Sequence, residues 1–120
     1  MERYSMYIDG KSVDPESGKW LDTYNPYTGA PWAQIAQGTA DDVDRAVRAA
    51  HKAFRSGLWS TLNASQRGLL LHKLGDLVAR DAKKLAAIEV RDNGKLIAEM
   101  QGQLNYIPQG ITTSVAWPTR

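Results

Sequence analysis

The feature that most constrains this chain is the order of its local patterns. Turn-rich, β-favouring segments fill residues 4–36, and residues 39–109 carry helical periodicity with no return to strand. Strands followed by helices without alternation argue against a complete βαβ sheet within these residues. The expected fold class is α+β: a short N-terminal hairpin and strands followed by about four α-helices. The apolar helix faces need a partner, and two or three short strands cover little of them.

In the first region, "YSMYIDGK" is extended and then reaches Asp9-Gly10, a two-residue hairpin signal. Pro15 and Gly18 mark a turn, and "WLDTYNP" is a strand closed at Asn25-Pro26. A turn at Thr28-Gly29 precedes a strand near Trp32–Ala36.

The helical region opens with Thr39 as N-cap, and Asp41 and Asp42 suit the positive end of a helix dipole. Val43, Ala46, Val47, Ala50 and Phe54 share one face, and Ser56-Gly57 stops the helix. A second helix starts at the Asn63 cap, with Gln66 at capping-box spacing and a stripe of Leu70, Leu74, Leu77 and Val78. A third is expected from Asp81 to Asn93-Gly94. A fourth runs from about Lys95, with Ile97, Met100, Leu104 and Ile107 on one side and Pro108 as its limit.

Chemistry-bearing residues are sparse. Fifteen basic residues against thirteen acidic ones leave a net charge of +2, with no block of like charge to grip nucleic acid. No run of ~18 apolar residues would span a membrane, and the N-terminus lacks a signal-peptide pattern, so a cytoplasmic location is the default. The absence of cysteine excludes disulfides, thiolate metal sites and a cysteine nucleophile within these residues. His51 and His72 have no partner at metal-ligand spacing, and the separation of Glu89 and Glu99 specifies no acid–base pair. No glycine-rich phosphate loop is present. Trp20, Trp32, Trp59 and Trp117 read as packing and turn anchors. In "RDNGK", Asn93 and Gly94 end a helix, but Asp92 sits where the dipole disfavours an acid, which calls for a compensating cation or donor.

The stretches "YIDGKSV", "YNPYTGAPWAQIAQGTADDVDRAVRAAHKAF", "SQRGLLLHKLGDLV" and "EVRDNGKLIAEM", in that order, resemble the N-terminal part of the aldehyde dehydrogenase superfamily. The resemblance covers about residues 4–109 and implies an incomplete part of a cofactor-binding domain. Family members are roughly four times this length and form homo-oligomers. They oxidise aldehydes to carboxylic acids with NAD or NADP, through a cysteine thiolate that attacks the carbonyl and a glutamate that activates water. Those groups and the nucleotide-binding motifs lie beyond the resembled part. No catalytic or cofactor-binding residue carries over, and the expectation is an oxidoreductase by class that is inactive, and binds no cofactor, as an isolated chain. The resemblance also implies a structural Na⁺ or K⁺ site, with Asp92 as a ligand and backbone at Tyr24, with Thr23 beside it, as another. Exposed apolar helix faces are expected to promote self-association. The rival expectation is a stand-alone, non-catalytic helical module that binds a protein partner through those faces.

The end "GITTSVAWPTR" departs from the family. Written as codons with free third bases and shifted back by one base, it can be read Trp-Tyr-His-Tyr-Phe-Gly-Gly-Leu-Ala-Asp-Lys, which the family would show there. The Ala is forced, because Trp117 supplies G and Pro118 supplies CC. The expected organisation is therefore residues 1–109 as a truncated family segment and residues 110–120 as an out-of-frame, poorly ordered tail.

Overall fold

The computed structural model describes residues 1–116. The chain divides into two compact units, Met1–Thr61 and Leu62–Arg120. The strands β1 (Glu2–Tyr4), β2 (Met6–Ile8), β3 (Lys11–Val13), β4 (Trp20–Tyr24) and β5 (Pro31–Ala36) precede the helices α1 (Ala40–Ser56), α2 (Leu58–Thr61), α3 (Ala64–Asn93) and α4 (Ile97–Ala116). This is the expected α+β order.

In the first unit, β2 and β3 form an antiparallel hairpin, Met6 facing Val13 and Ile8 facing Lys11. Asp9 (φ 52°) and Gly10 (φ 77°) both take left-handed angles, as a twist-matched two-residue turn requires. A second, three-stranded sheet has the order β1-β5-β4. Its β4–β5 pairing is antiparallel, whereas β1 runs parallel to β5. Sequence periodicity does not disclose that long-range pairing of the first few residues. A polar row crosses the three strands: Arg3 Nε donates to Gln34 Oε1 at 2.9 Å, and Gln34 Nε2 donates to Asp22 Oδ1 at 2.8 Å. The aromatic anchors act locally. The Tyr4 and Trp32 rings meet edge to face with centroids 6.0 Å apart, and the Arg3 guanidinium lies 5.0 Å from the Trp20 ring centre.

Helix α1 starts as expected, but its N-terminus does more than begin a helix. Thr39 and Asp42 form a reciprocal capping box. Thr39 Oγ1 accepts from the Asp42 N–H at 3.2 Å, and Asp42 Oδ2 accepts from the Thr39 N–H at 2.9 Å and the Thr39 hydroxyl at 3.1 Å. The same oxygen accepts from the Glu16 N–H at 3.3 Å, and Oδ1 pairs with the Arg45 guanidinium. Asp42 is 1% exposed. One carboxylate thus fastens the Pro15–Gly18 turn to the first turn of α1.

In the second unit, Ala82, Ala86, Met100 and Leu104 form the buried core of an α3–α4 hairpin, flanked by Val78 and Val90. Two expectations need correction here, the helix start at Asp81 and the helix end at Pro108. Asp81 does not start a helix: it lies inside a continuous 30-residue α3, where Arg80 takes its carboxylate through Nε at 3.0 Å and Nη2 at 2.7 Å. Neighbouring Ala, Lys and Leu favour helix on both sides, and no Gly or Pro breaks it there. The Leu70–Leu74–Leu77 stripe faces outward, while Gly68, Gly75, Ala82 and Ala86 are the buried positions of α3. Of the α4 stripe, Met100 and Leu104 are buried and Ile97 and Ile107 remain exposed. Pro108 does not end α4, which runs on to Ala116.

That last difference has a packing cause. Proline removes one N–H and its bond to the carbonyl four residues earlier, a local loss. The helix beyond it has a surface to lie on: a Cβ added at Gly75 would sit 3.3 Å from Thr112 Cγ2 and 3.4 Å from the Pro108 carbonyl oxygen. Residues 110–116 are therefore helical, not the poorly ordered tail that was expected. The remainder of that expectation, 117–120 with Trp117, lies outside the described residues.

Two outcomes follow from these contacts. Asp42 is held down at about 2 from its ordinary 3.8, first by the Thr39 backbone N–H, with Arg45, the Thr39 hydroxyl and Glu16 adding to this against the opposing effect of burial. The unfolded chain binds that proton more readily. The stabilisation is therefore complete above about pH 4 and fades as pH falls through about 2. Amide exchange at the start of α1 should accelerate across that window, and Asp42→Asn should raise exchange at neutral pH and remove the acid-dependent step. Met100 is fully buried, so Met100→Ala should cost about 2–5 kcal/mol of α3–α4 pairing, measured as lost amide protection along α3. Leu96→Ala, at a position 74% exposed, should leave that protection unchanged.

Candidate functional site

The chemistry-bearing groups gather at the C-terminal end of α3. Gly94 caps the helix with φ 76° in the left-handed region, and its N–H donates to the Val90 carbonyl at 2.9 Å. Asn93 is tied from both ends of its amide. Its Oδ1 accepts from the Lys95 N–H at 2.9 Å, and its Nδ2 donates to Glu89 Oε1 at 3.2 Å. The Lys95 ammonium lies 3.6 Å from the same Glu89 oxygen. Arg91, in the last turn, and Lys95, just past it, bring positive charge to the negative end of the helix dipole.

The sequence candidates are distributed as follows. Asp92 is exposed in the last turn of α3, in the second unit. Thr23 and Tyr24 are on β4, in the first unit. A β-bulge falls between Thr23 and Tyr24, and Pro31, opposite Tyr24 in the ladder, has no N–H to give a facing carbonyl. Among the described residues, no three His, Cys, Asp or Glu side chains cluster as a metal site. His51 is exposed on α1, 3.5 Å from Arg55 Nε, and His72 is exposed on α3. Glu89 takes Asn93 and Lys95 as partners, while Glu99 accepts from Gln103 at 3.5 Å, so the two acids have separate engagements. No helix among the described residues is long and apolar enough to cross a membrane.

The buried tie made by Asp42 is structural and is not among the sequence candidates. A signal was there: Thr39 followed three residues later by an acid has capping-box spacing. The tie to Glu16, 26 residues away, needed the fold.

A family model described as the aldehyde dehydrogenase family matches residues 12–120. This chain belongs to the aldehyde dehydrogenase family. It is 45% identical over 109 residues to a (Z)-2-((N-methylformamido)methylene)-5-hydroxybutyrolactone dehydrogenase of Acinetobacter baylyi, covering 91% of this chain and 22% of that protein. It is 46% identical over 91 residues to human mitochondrial aldehyde dehydrogenase, covering 75% of this chain and 18% of that one. The NAD-dependent aldehyde dehydrogenase of Sinorhizobium meliloti superposes with a TM-score of 0.92 at 35% identity, over 96% of this chain and 23% of that structure. The Bacillus cereus aldehyde dehydrogenase in complex with NAD⁺ gives 0.91 at 32% identity, over 97% and 24%. The chain thus spans about a fifth to a quarter of the relatives it matches, and its fold is that of an incomplete aldehyde dehydrogenase domain.

Proposed function

We propose that these residues are the N-terminal segment of an NAD- or NADP-dependent aldehyde dehydrogenase and that they supply framework, not reacting groups. The observation that carries this reading is the pairing of a family match over residues 12–120 with a chain that holds no cysteine. Aldehyde oxidation in the family needs a thiolate to form the covalent adduct from which hydride departs to the nicotinamide. Without that group the isolated chain forms no adduct. Dinucleotide binding in such proteins requires a parallel sheet and its crevice, and the sheets among the described residues have three and two strands.

The framework role follows from what is left uncovered. Val43 and Val47, each 60% exposed, and Phe54, 77% exposed, line the apolar face of α1, with Leu58 and Trp59 exposed beyond it. Leu69, Leu70 and Leu74 do the same on α3. Such faces are fit to be covered by the rest of a cofactor domain. For the full-length protein, Asp92 with backbone at Tyr24 and Thr23 remains our proposal for the ligands of a monovalent cation.

Two measurements test the reading. The purified chain, given NAD or NADP and a series of aldehydes, should form no reduced nicotinamide above a protein-free blank. Activity that co-purifies through two separations would overturn this. Residues 1–109 grafted into the Acinetobacter baylyi dehydrogenase in place of its matching segment should give an enzyme with kcat/KM within about tenfold of the parent. A graft that folds yet loses activity altogether would favour a stand-alone module that binds a protein partner through these faces.

A further inference from the structure

Asn93-Gly94 is the Asn-Gly step of this chain. Among the other asparagines, Asn25 precedes Pro26, which has no N–H, and Asn63 and Asn105 precede Ala64 and Tyr106, whose Cβ atoms crowd an attacking backbone nitrogen. Intramolecular loss of the side-chain amide needs three groups at liberty: the next backbone N–H, an unhindered approach to it, and a side-chain amide free to swing over the backbone. Gly94 supplies the unhindered approach. The other two are held by the cap just described: Gly94 N–H by the Val90 carbonyl at 2.9 Å, and both atoms of the Asn93 amide by Lys95 N–H and Glu89. Asn93 is also exposed, so water for the second step has access.

We propose that Asn93 is a spontaneous deamidation site gated by the C-cap of α3, closed while the cap holds and open when the last turn frays. In the open state the Gly94 nitrogen attacks Asn93 Cγ. The new C–N bond closes a succinimide, the Cγ–Nδ2 bond breaks, and ammonia leaves carrying the proton that Gly94 gave up. Water then opens either carbonyl of the ring, leaving a carboxylate with a normal or an isoaspartyl backbone. No oxidant or cofactor enters. Neither product restores the whole cap. The new carboxylate has no N–H to donate to Glu89, and it adds negative charge at the negative end of the helix dipole. The isoaspartyl form also lengthens the backbone between Val90 and Gly94 by one carbon and displaces the N–H that closes the last turn. The modification therefore acts on the turn that joins α3 to α4.

The test is peptide mass spectrometry of the 120-residue chain incubated at mildly alkaline pH, in buffer and in urea, beside the variants Gly94→Ala and Glu89→Ala. Conversion adds about 1 Da at position 93, and isoaspartyl product is separated by retention time. In buffer, conversion at Asn93 should exceed that at Asn63 and Asn105. Urea should accelerate it by about three- to tenfold, because the cap no longer restrains the reacting groups. Glu89→Ala should accelerate it in buffer only. Gly94→Ala should slow it in urea, where both chains are unfolded and only the approach to the nitrogen differs. Equal rates in buffer and urea would overturn the gate. Conversion in urea as fast with Gly94→Ala as with the parent, or conversion of Asn63 or Asn105 ahead of Asn93, would overturn the site.

Discussion

The close approach of α3 and α4 determines which side chains the second unit can bury. Gly75 lies against the Pro108–Thr112 segment, and Ala82 and Ala86 face Met100 and Leu104. Small residues on α3 let the helices approach, and the larger side chains of α4 fill what space remains. Having turned its small face to α4, α3 carries Leu69, Leu70, Leu74 and Leu77 on the outside. Burying one such side chain is worth roughly 1.5–3 kcal/mol, and a whole domain has only about 5–15 kcal/mol to spare. Scattered exposed apolar side chains are ordinary, but rows of them, Val43, Val47 and Phe54 on α1 and leucines on α3, are not. The sequence preserves a hydrophobic surface for which the described residues offer no cover, as an incomplete aldehyde dehydrogenase domain should.

The first unit is held by a different device. Its strands are three to six residues long, too short for a large core, and among the described residues there the buried apolar positions are Pro15 and Ala33. Polar geometry takes over much of the work. Asp42 satisfies the orphan N–H of the α1 cap and reaches across to Glu16, so the strand-bearing segment and the helix are fixed by one buried charge with its hydrogen bonds complete. Buried carboxylates are stable only when satisfied in this way, which explains why Thr39, Glu16 and Arg45 all converge on it.

Local signals in the sequence translated well where the cause was local. Asp9-Gly10 forms its hairpin, Thr39 and Asn63 cap α1 and α3, and Gly94 ends α3 in the left-handed conformation that Asn-Gly suggested. The signals that misled were those a partner overrides. Asp81 has the chemistry of a cap, but Arg80 occupies it and the flanking residues favour helix. Pro108 looks like a stop, but the α3 surface at Gly75 receives the helix beyond it. A periodicity count picks out the leucine stripe of α3 but not the buried positions Gly68, Gly75, Ala82 and Ala86, because helix–helix distance is set by the small residues. The family was legible in the ordered motifs, and the family model confirms it over residues 12–120. Asp92, Tyr24 and Thr23 were legible only through that resemblance, since a ligand set drawn from distant segments leaves no spacing to read.

The central claim is that this segment keeps its helices but lacks the surface needed to pack them cooperatively. Scanning calorimetry of the purified chain, with a hydrophobic dye titrated in parallel, tests it most directly. Substantial helical circular dichroism, strong dye binding and no single sharp heat-absorption peak are expected, because packing is confined to small local cores while the leucine row of α3 stays exposed. A monodisperse monomer that melts in one cooperative transition and binds little dye would contradict it, and would show that the exposed faces of α1 and α3 need no further partner.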